Sequence, residues 1–188
     1  MSLIKEAYQL ARENGKMFVT GIAISGKITR VSYLDGDEEK EFRSTGLPAN
    51  DFTQKIQALA ETFGRLADIS DKLKVITVTA IRWKINKDGD EQVRIDGEYL
   101  AHGSYSIAVS GPSCYAMSDS QQEAIESGEM DEEDLSPYVM DSTDEERILA
   151  CLVEAKNYID GARGESVQPE LDFDREPETE DDDADHVQ

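Results

Sequence analysis

Residues 74–109, KVITVTAIRWKINKDGDEQVRIDGEYLAHGSYSIAV, decide how this chain folds. Val75 to Ile85 is its densest β-branched and aromatic run, and Asn86-Lys87-Asp88-Gly89-Asp90 closes it. Beyond that turn Val93, Ile95 and Tyr99 recur at spacing two, with Arg94, Asp96 and Glu98 in the opposite phase. Alternation of this kind marks strands with one buried face, and Asp-Gly between two such runs is a hairpin signal. A third run, Tyr105, Ile107 and Val109 against Ser106 and Ala108, follows Ala101-His102-Gly103-Ser104. The pattern predicts an antiparallel meander ending at Gly111-Pro112.

Working outward, Met17–Ser25, Lys27–Leu34 and Glu38–Ser44 read as three more strands around the turns Ser25-Gly26 and Asp35-Gly36-Asp37. The last is so charged that it suits a sheet edge, where charge discourages stray pairing. Phe52, Ile56, Leu59, Phe63 and Leu66 recur at three and four residues, the stripe of a helix over 51–68 capped by Asn50 or Asp51. Residues 3–14 predict a short amphipathic helix burying Leu3, Ala7, Leu10 and Ala11. A final helix is expected from Ser142-Thr143, with Thr143 and Glu146 as a capping box and Ile148, Leu149, Leu152, Ala155, Tyr158 and Ile159 inward. The fold class is α+β: an antiparallel sheet of about five to six strands covered by two long helices. Residues 1–164 are expected to form one domain, 118–141 an acidic mobile loop with one helical turn at Gln121–Ile125, and 165–188 a disordered acidic tail.

Charge supports that division. The chain has 41 acidic and 19 basic residues, net -22. Ser118–Glu146 carries 12 acids and no base, and Glu165–Gln188 carries 11 acids and Arg175. The remainder is balanced at 18 against 18, so the acidity lies in two appended segments on a neutral core. Such charge argues against direct contact with nucleic acid or anionic membrane, since both require Lys and Arg at phosphates. No segment approaches 18 apolar residues, and two isolated cysteines, Cys114 and Cys151, fit a reducing compartment; a cytoplasmic location is expected.

Catalysis needs converging groups of tuned proton affinity, and the inventory is poor. His102 lies in a loop between strands and His186 in the tail; His102 with Cys114 has no third group to make a nucleophile pair. Asn86–Asp90 resembles the start of a calcium loop but has a misplaced glycine and no terminal Glu, and the runs 131–134 and 180–183 fix no geometry. No catalytic residue, metal site or cofactor is expected.

One feature is specific: Gln168-Pro169-Glu170-Leu171-Asp172-Phe173. Its Leu-x-Phe stands in a tail otherwise almost without large apolar side chains, which asks for a pocket on another molecule. QPELDF resembles the peptide by which bacterial replication and repair proteins bind the sliding clamp, Gln-x-x-Leu-x-Phe, with Pro169 where longer aliphatics are frequent. The resemblance implies that Gln168 bonds at a pocket rim while Leu171 and Phe173 fill an apolar cleft. The order of elements, with Asn157-Tyr158-Ile159-Asp160-Gly161-Ala162-Arg163 before a Leu-x-Phe tail, is similar to a set of small phage and prophage proteins. That similarity implies a mobile-element origin and no particular activity. Two functions are therefore expected as alternatives. One is a non-enzymatic accessory protein that binds a host protein, the sliding clamp foremost, through Gln168, Leu171 and Phe173. The other is an acidic DNA mimic that occupies a basic nucleic-acid-binding defence protein with residues 119–146 and 174–188, a role hampered if those acids are on mobile segments.

Overall fold

A computed structural model describes residues 2–45, 48–70, 75–87, 89–101, 105–131 and 134–161. Its elements run α1 (Leu3–Glu13), β1 (Phe18–Ser25), β2 (Ile28–Asp35), β3 (Glu38–Ser44), α2 (Asn50–Leu66), β4 (Ile76–Ile85), β5 (Glu91–Ala101), β6 (Tyr105–Ala116), α3 (Asp119–Glu126), β7 (Val139–Met140) and α4 (Ser142–Ile159). The class is α+β. The sheet has seven strands in the order β3-β2-β1-β4-β5-β6-β7, and it is mixed: β7 pairs parallel to the end of β6, where five to six antiparallel strands were expected.

Alternation places the core as anticipated. Phe42, Val31, Ile22, Ile81 and Ile95 stand opposite one another across five strands and line the face beneath the helices. The α2 stripe is buried as read, from Phe52 through Ile56, Leu59 and Phe63 to Leu66. Each such side chain contributes about 1.5–3 kcal/mol on burial. On α4, Ile148, Cys151, Leu152, Ala155 and Tyr158 are buried, and Leu149 and Ile159 pack at the margin. Val93, Ile95, Phe63 and Leu152 are buried as expected, and Trp83 with them, whereas Tyr99 is only partly so.

Two glycines shape the contact between α2 and the sheet. A Cβ at Gly97 on β5 would stand 2.7 Å from Phe63 Cε1, and one at Gly111 on β6 would run into the Ile95 carbonyl. Both strands thus lack a side chain where the Phe63 ring is seated, a common reason for glycine inside a strand. Gly111 and Pro112 form a bulge: Arg94 pairs with Ser113 and Asp96 with Ser110, leaving Ile95 opposite two residues. The strand therefore continues through Gly111-Pro112 to Ala116 instead of ending there, because a bulge accommodates what an unbroken ladder would not.

Other expectations are corrected by tertiary packing. On α1 the buried face is Ile4, with Ala7, Tyr8 and Ala11 against the core, while Leu3 and Leu10 are exposed. The α2 N-cap is Ala49, without a side-chain bond, in place of Asn50 or Asp51. The α4 cap is Asp141, not Thr143: Asp144 N–H donates to Asp141 Oδ1 (2.7 Å), and Asp141 N–H donates back to Asp144 Oδ2 (3.3 Å). The acidic stretch after Met117 contains an eight-residue helix, α3, capped reciprocally by Ser118 and Gln121, which extends the single turn expected at Gln121–Ile125 in a loop. No helix among the described residues is long and apolar enough to cross a membrane. The segment 165–188 lies outside the described residues.

Candidate functional site

The residues singled out for partner binding, Gln168, Leu171 and Phe173, lie outside the described residues, as do His102 and His186. The α4 helix ends with its C-cap at Asp160, so the QPELDF peptide begins seven residues beyond Gly161.

The other sequence candidates are committed to structure. Cys114 and Cys151 are free and buried. Burial pushes the Cys114 thiol up to about 11, with Arg65 opposing and Asp144 assisting, and pushes Cys151 up to about 12. Neither is a nucleophile near neutrality, since the thiolate is the reactive form. In the Asn86–Asp90 turn Asn86 Oδ1 accepts from Asp90 N–H (2.8 Å), Asn86 Nδ2 donates to Asp90 Oδ2 (3.1 Å), and Gly89 takes a φ of +88°. These groups close the hairpin. Among the described residues no three His, Cys, Asp or Glu side chains converge as a metal ion requires.

The polar geometry instead centres on three carboxylates that the pattern reading did not single out. Glu91 opens β5 in phase with Val93 and Ile95 and is buried with them. Its Oε1 accepts from Trp83 Nε1 (2.5 Å) and its Oε2 from Ser2 Oγ. Glu145, 7% exposed, accepts at Oε2 from Leu3 N–H (2.7 Å). Ser2 Oγ in turn accepts from Lys5 N–H (3.2 Å). Two carboxylates from different elements thus hold the N-terminal end of α1, where unpaired N–H groups and the helix dipole favour negative charge. Burial raises the Glu145 carboxyl above its usual range; the Leu3 N–H opposes that shift and the charge of Glu91 adds to it. The third, Asp144, accepts from Thr62 Oγ1 (2.8 Å) and from Arg65 Nη2, joining α4 to α2. The sequence signal for all three was phase: Glu91 lies on the β5 core face, and Asp144 and Glu145 on the same side of α4 as Ile148 and Leu152.

Beside this cluster is a concavity of about 560 Å3 between α3, β7 and the start of α4, lined by Ile125, Met140, Glu126, Asp141 and Glu146 among others. Its chemistry is that of an acceptor of cationic groups.

The sheet face turned away from the helices offers a second concavity of about 470 Å3. Arg30, Arg82, Lys84 and Arg94 outnumber Glu39 and Glu41 there by two to one. Arg94 Nε donates to Asp96 Oδ1 (3.0 Å), and Arg82 lies 3.9 Å from the other oxygen. One carboxylate thus serves two of the four cations, and the surface keeps an excess of positive charge. No protein-family model, no curated protein and no solved structure matches this chain.

Proposed function

We propose that this chain is a non-enzymatic, cytoplasmic accessory protein of phage or prophage origin that binds a host protein through Gln168, Leu171 and Phe173, the sliding clamp being the partner its peptide resembles. One observation carries the reading. Leu171 and Phe173 are the two large apolar side chains in a 24-residue segment with 11 acids, and such a pair is useful only in a pocket supplied from outside that segment. The test is a titration of purified bacterial clamp against the 165–188 peptide. Loss of two buried side chains at about 1.5–3 kcal/mol each should weaken binding by roughly two orders of magnitude or more in the Leu171→Ala/Phe173→Ala peptide. Absence of binding by the unchanged peptide at high micromolar concentration would end the clamp reading.

A second reading, the acidic DNA mimic, is favoured by one specific observation. Glu123 and Glu126 are on α3, and Asp141 and Glu146 at the start of α4, both helices closed by reciprocal caps. Carboxylates at fixed spacing are what phosphate mimicry requires. Salt separates the two: an apolar dock tolerates it, whereas a mimic loses its basic partner steeply as salt rises.

A further inference from the structure

The two long edges of the sheet are unlike. β3 reads Glu38-Glu39-Lys40-Glu41-Phe42-Arg43-Ser44, five of seven charged, as edge strands usually are. β6, Tyr105–Ala116, has no charged residue in a chain that is 32% charged. β7 covers this edge only at Tyr115 and Ala116. From Tyr105 to Ser110, up to the bulge, the outer side of β6 has no hydrogen-bond partner among the described residues. Tyr105 is 76% and Ile107 42% exposed, although both point to the same face as the core residues of β5, pairing with Ala101 and Tyr99. The helices do not reach this end of the sheet.

We infer that Tyr105–Val109 pairs antiparallel with the same segment of a second copy of this chain, joining two seven-stranded sheets edge to edge. The strand is complementary to itself. A two-fold axis at Ile107 sets Ile107 against Ile107 of the second copy and Tyr105 against its Val109, an aromatic with a β-branched neighbour, which is a favourable cross-strand pair. Ser106 meets Ala108 on the opposite face, so every opposed pair is compatible in size. In that register pairing ends before the 111–112 bulge on both sides, short of β7. Charge selects the occupant as well. A chain of net -22 repels its own copies over most of its surface, and this neutral strand is an edge where two copies meet without like charges opposed. A foreign strand would not be matched by that symmetry. A five-residue pairing is small for a stable interface, so the dimer should be concentration-dependent.

The test is sedimentation equilibrium of the full chain at near-physiological salt, from low to high micromolar concentration. The expected result is a shift from 20.9 kDa toward twice that mass, abolished in Tyr105→Lys/Ile107→Lys with the melting temperature retained. Amide exchange provides a second measurement on the unchanged chain: protection at Tyr105–Val109 should rise with concentration. A 20.9 kDa species at every concentration overturns the proposal, as does dimerisation unaltered by the lysines. Protection that is complete in a monomer, and lost on deleting 165–188, would place the chain's own tail on this edge and likewise overturn it.

Discussion

Thr62 on α2 donates a 2.8 Å hydrogen bond to Asp144 on α4, and both side chains are buried where the two helices cross. The same carboxylate caps its own helix, so one residue fixes both where α4 begins and how it sits on α2. Asp144→Ala removes a cap contact worth about 1 kcal/mol and leaves the Thr62 hydroxyl unsatisfied at about 1–3 kcal/mol. The expected loss is therefore about 2–4 kcal/mol by denaturant unfolding, and Asp144→Asn, which keeps an acceptor oxygen, should lose less. A double-mutant cycle with Thr62→Val measures the coupling; a coupling indistinguishable from zero would show that the two residues act independently.

Gly111→Ala should be the costliest single methyl in the sheet. The added Cβ meets backbone, the Ile95 carbonyl, and the Phe63 ring behind it at 3.4 Å, so no side chain can swing away. Overpacking of this kind costs about 3 kcal/mol. Gly128→Ala is the control: nothing lies within 4 Å there, and only its φ of +74° is strained, at about 1–2 kcal/mol. Thermal melts of the two variants should differ clearly in that order.

Glu145 carries a pH signature opposite to the common one for carboxylates. Its folded-state affinity for a proton is raised by burial, so the folded state holds more protons than the unfolded one just above the ordinary glutamate range. Stability from this group is full below that range and falls as pH rises through the raised folded pKa. Glu145→Gln keeps an oxygen for the Leu3 N–H and removes the charge beside Glu91. It should be more stable than the parent at neutral pH and should lose this component of the slope. A less stable Gln variant at pH 7 would show that the ionised form is favoured in place.

Thiol reagents should not modify Cys114 or Cys151 in the folded protein. With pKa values raised to about 11 and about 12, the thiolate fraction near pH 8 is on the order of one part in a thousand or less. Both should react at once in denaturant. Rapid modification of the native chain would mean that α4 or β6 opens on the timescale of the assay.

Much of the sheet was legible because alternation is a local property: Val93 and Ile95 declare their face without reference to anything distant. The α2 stripe was legible for the same reason. What depended on partners was not. Leu3 and Leu10 make as good an apolar stripe on paper as Ile4, Tyr8 and Ala11; Glu91 and Glu145 choose between them by holding the N-terminal end of α1. Gly111-Pro112 reads as a stop because both residues break ladders, and only the opposing Ile95 shows that they form a bulge. The capping of α4 was misplaced by two residues because Thr143 and Glu146 match the same spacing as Asp141 and Asp144. The buried carboxylates were hidden by their residue type, although their phase was apolar.

Trp83 is the chain's one tryptophan, 4% exposed. Its ring lies 5.1 Å from that of Tyr8 on α1 and 5.0 Å from that of Phe18 on β1, and its Nε1 is bonded to Glu91. The chain therefore contains its own optical reporter at the seam between its first helix and its sheet. Indole emission follows the polarity around a single ring, so a red shift that precedes the loss of far-ultraviolet ellipticity would time the release of α1 separately from the collapse of everything else.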